Sequence, residues 1–288
     1  MTANYIFLNG GVFHKNEALV SPFDRGFQYG ESVYEVVPVF RSELCFFEKS
    51  WKRLCASAKM LSINLTEPKS YFLKKAEDLV RLNELDVGFM YIQVSQGVSH
   101  SRHKVDPSSK NTVFMYCGYH DFINKMSEYR CLDIVTVEES RWRYRSVKCC
   151  NLIPNAMAKQ CAYSEDADEA LFVYNGLVNE GASSSLFWIK DQFLFVRKHD
   201  EDVLPGIRAD VVSVLAKELG LIIEVGVYKL SSVKEADEVF LTSATLGVAP
   251  VRSIDNQLIG EGSVGTWTKK IVDSYLQCLI SGNKAENI

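Results

Sequence analysis

A chain of 288 residues, 47% hydrophobic and 24% charged, is long enough for two domains sharing a core, and its composition is neither disordered nor fibrous. Lys and Arg total 32 against 36 Asp and Glu, a formal charge of -4. That excludes a bulk nucleic-acid binder, because phosphate contacts need concentrated basic residues.

No apolar run is long enough to span a bilayer, and MTANYIFLNG lacks the basic and apolar parts of a signal peptide. A cytoplasmic protein that does not enter membranes is expected. The 8 cysteines form no C-x2-C pair, and adjacent Cys149 and Cys150 are poorly placed to share a tetrahedral zinc. Small buried hydrophobes in a reducing compartment explain them.

In chain order, Ile6–Leu8 and Gly10–Phe13 read as short strands, and Val33–Phe40, rich in valine, as a longer one. Glu48–Leu61 reads as a helix with Trp51, Leu54, Cys55 and Ala58 on one face and Arg53 well away from it. Thr66–Leu82 is a second amphipathic helix, and strands follow at Phe89–Val94 and Thr112–Tyr116. The stretch Gly118–Tyr129 has no clean periodicity, so the boundary is placed there: a small N-terminal α/β domain over 1–120 and a larger domain over 121–288.

Beyond it, Leu132–Val137 alternates as a strand, Pro154 begins a helix through Tyr163, and Glu169–Tyr174 is a strand turning at Asn175-Gly176. Phe187–Ile189 and Phe193–Val196 form a hairpin around Lys190-Asp191. A helix over Ile207–Leu219 stops at Gly220, Val239–Thr242 is a strand, and a last helix runs from about Val264 to Leu279.

The common nucleotide, hydrolase and zincin signatures are absent. His100 and His103 have metal-like spacing, but SHSRHK offers no carboxylate or thiolate to complete a site, so no metal is expected. More informative are charged and small residues in apolar surroundings. Glu35 interrupts VYEVVPV, Lys148 follows the basic run Arg141–Arg145, and Glu180 precedes Gly181 and three serines. Leu204-Pro205-Gly206-Ile207 leads into a helix whose first amides suit an anion. From the residues alone, these describe an α/β enzyme with a phosphate-handling loop near Gly206.

Six blocks in order carry a family resemblance over essentially the whole chain. DRGFQYGESVYEVV (Asp24–Val37), Trp51–Leu54, RWRYRSVKCCNLIPNAMAKQ (Arg141–Gln160), VNEGASSSLFWI (Val178–Ile189), VLPGIRADVV and FLTSATLGVAPV resemble the fold-type IV pyridoxal-phosphate enzymes. These are the D-amino-acid and branched-chain aminotransferases and the aminodeoxychorismate lyases, and the blocks are most similar to the D-amino-acid group. The resemblance implies an α/β (α+β mixed) fold whose larger domain has a β-barrel-like core. It implies pyridoxal 5'-phosphate joined to Lys148 as a Schiff base, with Glu180 on the pyridine nitrogen. Arg53, Leu204, Gly206, Ile207, Arg208, Ser243, Ala244 and Thr245 fall at the positions that contact the cofactor, most of them at its phosphate end.

For substrate, the resemblance implies Tyr34 in the pocket wall, with Glu35 behind it or paired with an arginine, since neighbours on a strand face opposite ways. It implies a carboxylate clamp from Arg102 and His103, on a loop that reaches the partner's site in a homodimer. Three departures stand out. The D-amino-acid group separates the clamp arginine and histidine by one residue, whereas here they adjoin; Arg208 and Ala244 replace threonines; and Ser185 replaces an asparagine. The implied reaction is a two-half transamination between a D-alanine-like donor and 2-oxoglutarate or pyruvate. The alternatives are 4-amino-4-deoxychorismate lyase, a branched-chain aminotransferase, and a cofactor-free structural or binding homologue.

Overall fold

The computed structural model describes residues 4–99, 101, 103–104 and 109–281. Internal contacts divide the chain into two units, Met1–Asp121 with Val147–Asn151, and Phe122–Ser146 with Leu152–Ile288. The five-residue segment that carries Lys148 thus packs with the first unit, although its neighbours in sequence belong to the second.

The first unit contains β1 (Tyr5–Leu8), β2 (Gly11–His14), α1 (Arg25–Tyr29), β3 (Ser32–Phe40), β4 (Glu43–Leu44), α2 (Phe47–Met60), α3 (Lys69–Leu82), β5 (Val87–Ser95) and β6 (Thr112–Tyr119). Its six strands form an antiparallel sheet in the order β2-β1-β6-β5-β3-β4. Val33, Val37 and Val39 of β3 share a core with Met90, Ile92, Met115 and Cys117 of β5 and β6, and with Leu54, Phe72 and Leu79 of the two long helices. Each such aliphatic side chain taken fully out of water is worth roughly 1.5–3 kcal/mol. The two-residue period puts Glu35 in that packed row and Tyr34 in the opposite one.

Two expectations change in this unit. Helix α3 begins at Lys69, after Pro68, rather than at Thr66, since proline disfavours helix at the residue before it. Arg53 does not lie well away from the packed face of α2. It flanks the buried stripe Phe47, Ser50, Leu54, Ser57 and Ala58 and turns onto Glu35.

The second unit runs α4 (Phe122–Ser127), β7 (Leu132–Glu138), α5 (Ile153–Ser164), β8 (Glu169–Tyr174), β9 (Leu177–Gly181), β10 (Ser185–Lys190), β11 (Phe193–Arg197), α6 (Ile207–Glu218), β12 (Ile222–Gly226), α7 (Leu230–Lys234), β13 (Glu238–Ser243), β14 (Gly247–Ile254), β15 (Gln257–Leu258) and α8 (Thr266–Ile280). Its nine-stranded sheet has the order β12-β11-β10-β13-β14-β7-β8-β9, with β15 on β14. Strand β9 also packs against β10 and β11, so the sheet curls back on itself as the expected barrel-like core. Leu171, Leu186, Trp188, Leu241 and Val251 fill it.

Asn175 and Gly176 both take positive φ, 51° and 76°, the paired left-handed geometry that a two-residue hairpin turn requires. The aperiodic stretch before β7 contains α4, too short to show a period, which buries Phe122 and Met126. No helix among the described residues is long and apolar enough to cross a membrane.

Candidate active site

In the first unit the sequence-derived residues meet around β3. The segment Val147–Asn151 lies along that strand: the Tyr34 amide donates to the Lys148 carbonyl at 3.0 Å, and Val33 bridges Cys149. The Lys148 amide donates to Ser57 Oγ of α2 at 3.1 Å, fixing the backbone from the other side. Lys148 Nζ then sits 4.4 Å from the centroid of the Tyr34 ring. Tyr34 in turn stacks on Tyr91 at 5.4 Å, and Tyr91 packs at a tilt against Tyr116 at 5.0 Å.

The Tyr91 hydroxyl donates to Gln93 Oε1 at 2.9 Å and lies 3.9 Å from Cys150 Sγ. Burial first, then the neighbouring Cys150 thiol, pushes its ionisation well above that of an ordinary phenol. Tyr91 is therefore a fixed neutral buttress behind Tyr34.

Arg53 reaches Glu35 with two bonds, Nε to Oε1 at 2.7 Å and Nη2 to Oε2 at 2.8 Å. The fork matches the carboxylate, and Glu35 is only 1% exposed. Because Ser57 follows Arg53 by one helical turn, α2 grips both Glu35 and the lysine segment.

The expected carboxylate clamp is Arg102 with His103. Arg102 lies outside the described residues. His103 is exposed, and the preceding Ser101 carbonyl accepts from Arg25 Nη1 at 3.2 Å.

The second unit gathers a different set. Glu180, on β9, is 6% exposed. Its Oε1 accepts from Arg141 Nη1 at 2.6 Å and from the Leu204 amide at 2.9 Å. Glu180 and Leu204 line a small cleft with Ser185, Arg197 and Ala209. Gly206 is the residue before α6, with Ile207 and Arg208, both buried, in the helix's first turn. A Cβ at Gly206 would stand 2.5 Å from Ser185 Oγ, so the close approach of this loop to β10 favours glycine. Ser243, Ala244 and Thr245 are half-buried in the hairpin between β13 and β14, where Ser243 Oγ accepts from the Leu246 amide at 3.1 Å.

Several residues here escaped sequence reading. In the run Arg141–Arg145, Arg141 and Arg145 turn inward, with side chains 8% and 12% exposed, while Arg143 is 80% exposed. Alternation was the available signal, but irregular backbone carries no period to read. Glu139, 1% exposed, accepts three hydrogen bonds from Arg141, from its amide, Nε and Nη2. Glu169 anchors the loop after Glu180, accepting from Ser183 Oγ at 3.0 Å, Ser184 Oγ at 3.1 Å and Lys159 Nζ at 2.7 Å.

Comparison with known proteins bears on what this arrangement does. The family model for amino-transferase class IV matches residues 32–254. A D-alanine aminotransferase of Bacillus licheniformis is 31% identical over 276 residues, covering 96% of this chain and 97% of the relative. One from Listeria monocytogenes is 29% identical, covering 96% of each chain. Among solved structures, the T.th. branched-chain amino acid aminotransferase complexed with N-(5'-phosphopyridoxyl)-L-glutamate is 25% identical, with a TM-score of 0.89 over 99% of this chain and 97% of that one. The match spans β3, the lysine segment, the Glu180 strand and α6, so the chain belongs to the class IV aminotransferases, the pyridoxal-phosphate-dependent transaminases of fold type IV.

Proposed function

We propose that the enzyme moves an amino group between a D-amino acid of alanine type and a 2-oxo acid, either 2-oxoglutarate or pyruvate. The observation that carries this reading is the similarity, near 30% identity and nearly end to end, to D-alanine aminotransferases. The structural likeness to a branched-chain aminotransferase favours a second reading, transfer from branched-chain L-amino acids.

The residues present fit pyridoxal 5'-phosphate. A lysine beside a tyrosine, a buried carboxylate, and a glycine that opens a helix start where a side chain would collide are the donor set such a group needs. When bound, that group supplies an aldehyde for the amine and a ring that takes up electron density from the substrate α-carbon.

Lys148 would hold the cofactor, and its amine would move the proton at the substrate α-carbon. Glu180 holds a proton on the ring nitrogen. Arg53 of the first unit would hold the cofactor's phosphate, as would the amides of Gly206, Ile207 and Arg208 in the second; Leu204, Ser243, Ala244 and Thr245 are further residues that would hold the cofactor. Tyr34 orients the substrate carboxylate with Arg102 and His103. The enzyme works as a homodimer, which the exposed apolar side chains Leu19 and Phe27 of the first unit and Ile153 and Met157 of the second support.

The test is a donor panel with the purified, cofactor-loaded enzyme. D-Alanine with 2-oxoglutarate should yield pyruvate, and L-leucine should not substitute. Faster turnover of L-leucine would move the assignment to the branched-chain class. Pyruvate from 4-amino-4-deoxychorismate without an oxo acid would make the enzyme a lyase.

A further inference from the structure

Strand β9 is irregular where it carries Glu180. Leu171 and Val173 of β8 pair with Gly181 and Val178, so two residue steps on one strand face three on the other. Such a bulge frees Asn179 and Glu180 from strict alternation and re-aims their side chains. Both then converge on the same neighbours. Asn179 Nδ2 donates to Glu139 Oε2 at 2.9 Å, and Glu180 Oε1 accepts from Arg141 Nη1 at 2.6 Å. Arg141 is held by Glu139 through Nε at 2.9 Å and Nη2 at 2.7 Å, and its guanidinium lies 4.4 Å from the ring centroid of Phe172, the β8 residue opposite the bulge.

We propose that Arg141, locked by Glu139 and Asn179, is a positioning residue that fixes the direction and charge of the Glu180 carboxylate towards the cofactor's ring nitrogen. The inference rests on the role given to Glu180 above. Two carboxylates, 1% and 8% exposed, share this one guanidinium; of the two, Arg145 reaches Glu139, at 3.6 Å, and its other partner is Asp202. Remove Arg141 and two buried like charges face each other, so one takes up a proton. Neutralise Glu139 instead, and Arg141 is left with Glu180 as its carboxylate partner among these residues, drawing density away from the ring. Either change weakens the grip on a ring N–H, by opposite routes. Glu139 is well placed for its part: burial alone would raise its carboxyl, but the hydrogen bonds and charge of Arg141 hold it below the ordinary range.

The test measures binding rather than turnover. Pyridoxamine 5'-phosphate, which forms no covalent link to lysine, is titrated into cofactor-free enzyme beside its 1-deaza analogue, in which CH replaces the ring nitrogen. The wild-type enzyme should prefer the natural compound. Glu180→Gln should erase the preference, and Arg141→Lys and Glu139→Gln should each cut it by about tenfold, the scale on which outer partners tune a ligating group. Asn179→Ala, which removes a hydrogen bond and no charge, should cut it least and covers the case in which the charged variants do not fold. A preference unchanged in the Arg141, Glu139 and Asn179 variants but lost in Glu180→Gln overturns this inference alone. An equal weakening of both compounds also overturns it, since that marks a structural role. A preference that survives Glu180→Gln removes the reading of Glu180 beneath it.

Discussion

Lys148 Nζ rests 4.4 Å from the centre of the Tyr34 ring and, within the first unit, pairs with no carboxylate among the described residues. Glu180, in the second unit, takes charge-assisted and backbone hydrogen bonds at 2.6 and 2.9 Å on a single oxygen. A cation over a ring gains about 0.5–2 kcal/mol and tolerates rotation. A hydrogen bond to a charged group is worth about 1.5–3 kcal/mol and fixes direction. The proposed division of labour explains the difference. A lysine that exchanges its bond and its proton in every turnover needs a neighbour that releases it easily, whereas a carboxylate that holds one proton on one atom needs anchors.

The largest effect should come from breaking the loosely held member. Lys148→Ala should lower turnover of D-alanine by about 10⁴-fold, the upper range for a group that bonds covalently and moves a proton. The loaded protein should also lose the visible absorption band that borohydride removes from the wild type. The melting temperature should move little, since the residue is half-buried and held mainly through its backbone. Wild-type turnover in this variant would take Lys148 out of the mechanism.

The comparison has one exception, because the first unit also contains a fixed ion pair. Glu35→Ala takes the buried carboxylate away from the Arg53 guanidinium, whose side chain is 11% exposed, and should lower stability by about 3–5 kcal/mol. The midpoint of urea unfolding reads this directly. Adding Arg53→Met to Glu35→Ala should recover much of the loss, because an apolar pair avoids the buried charge. A single variant as stable as the wild type would show that the pair is only loosely engaged.

Glu35 also shows how far the sequence could be read. Strand alternation separated it from Tyr34, the resemblance put Tyr34 in the pocket wall, and Glu35 was left either behind it or paired with an arginine. That the partner is Arg53 was not legible, because a helical projection ranks residues by apolar face and treats a charged flank as solvent. The same limit hid Glu139 and Arg141. They meet Glu180 through a bulge and an irregular segment, where neither the two-residue nor the 3.6-residue period applies. The sheets, the long helices and the lysine and glutamate blocks were legible because they rest on period or on motif.

A smaller effect tests the second unit's tight packing without touching its charges. Gly206→Ala brings a methyl group to 2.5 Å from Ser185 Oγ and should cost about 1 kcal/mol, since a hydroxyl can rotate away where backbone could not. Ser185→Ala should cancel most of it in the double variant, read by thermal melting. Additive losses would place the strain elsewhere, with Ala209 Cβ, 3.2 Å from the same point, the next neighbour.

The last expectation turns the comparison into a pH experiment. In the second unit the Glu139 carboxyl, pushed up by burial, is held below its ordinary 4.5 by Arg141 and Asn179. Asp255, likewise buried in part, is held below 3.8 by Lys234 and Thr136. A carboxyl depressed in the folded state binds fewer protons there than in the unfolded chain, so unfolding takes up protons and stability rises with pH. The contribution is full above about pH 4.5 and drains away as pH falls through the folded-state values. Melting temperature should therefore hold steady from pH 7 to 5 and then decline. The decline should be shallower in Glu139→Gln, which has lost one of the contributing groups. In the first unit Tyr91 is raised by burial and so remains neutral throughout this window. An acid slope identical in Glu139→Gln and the wild type would mean that the carboxylate beside Arg141 is not charged when folded, and the contrast between an anchored anion and a loosely seated lysine would lose its electrostatic basis.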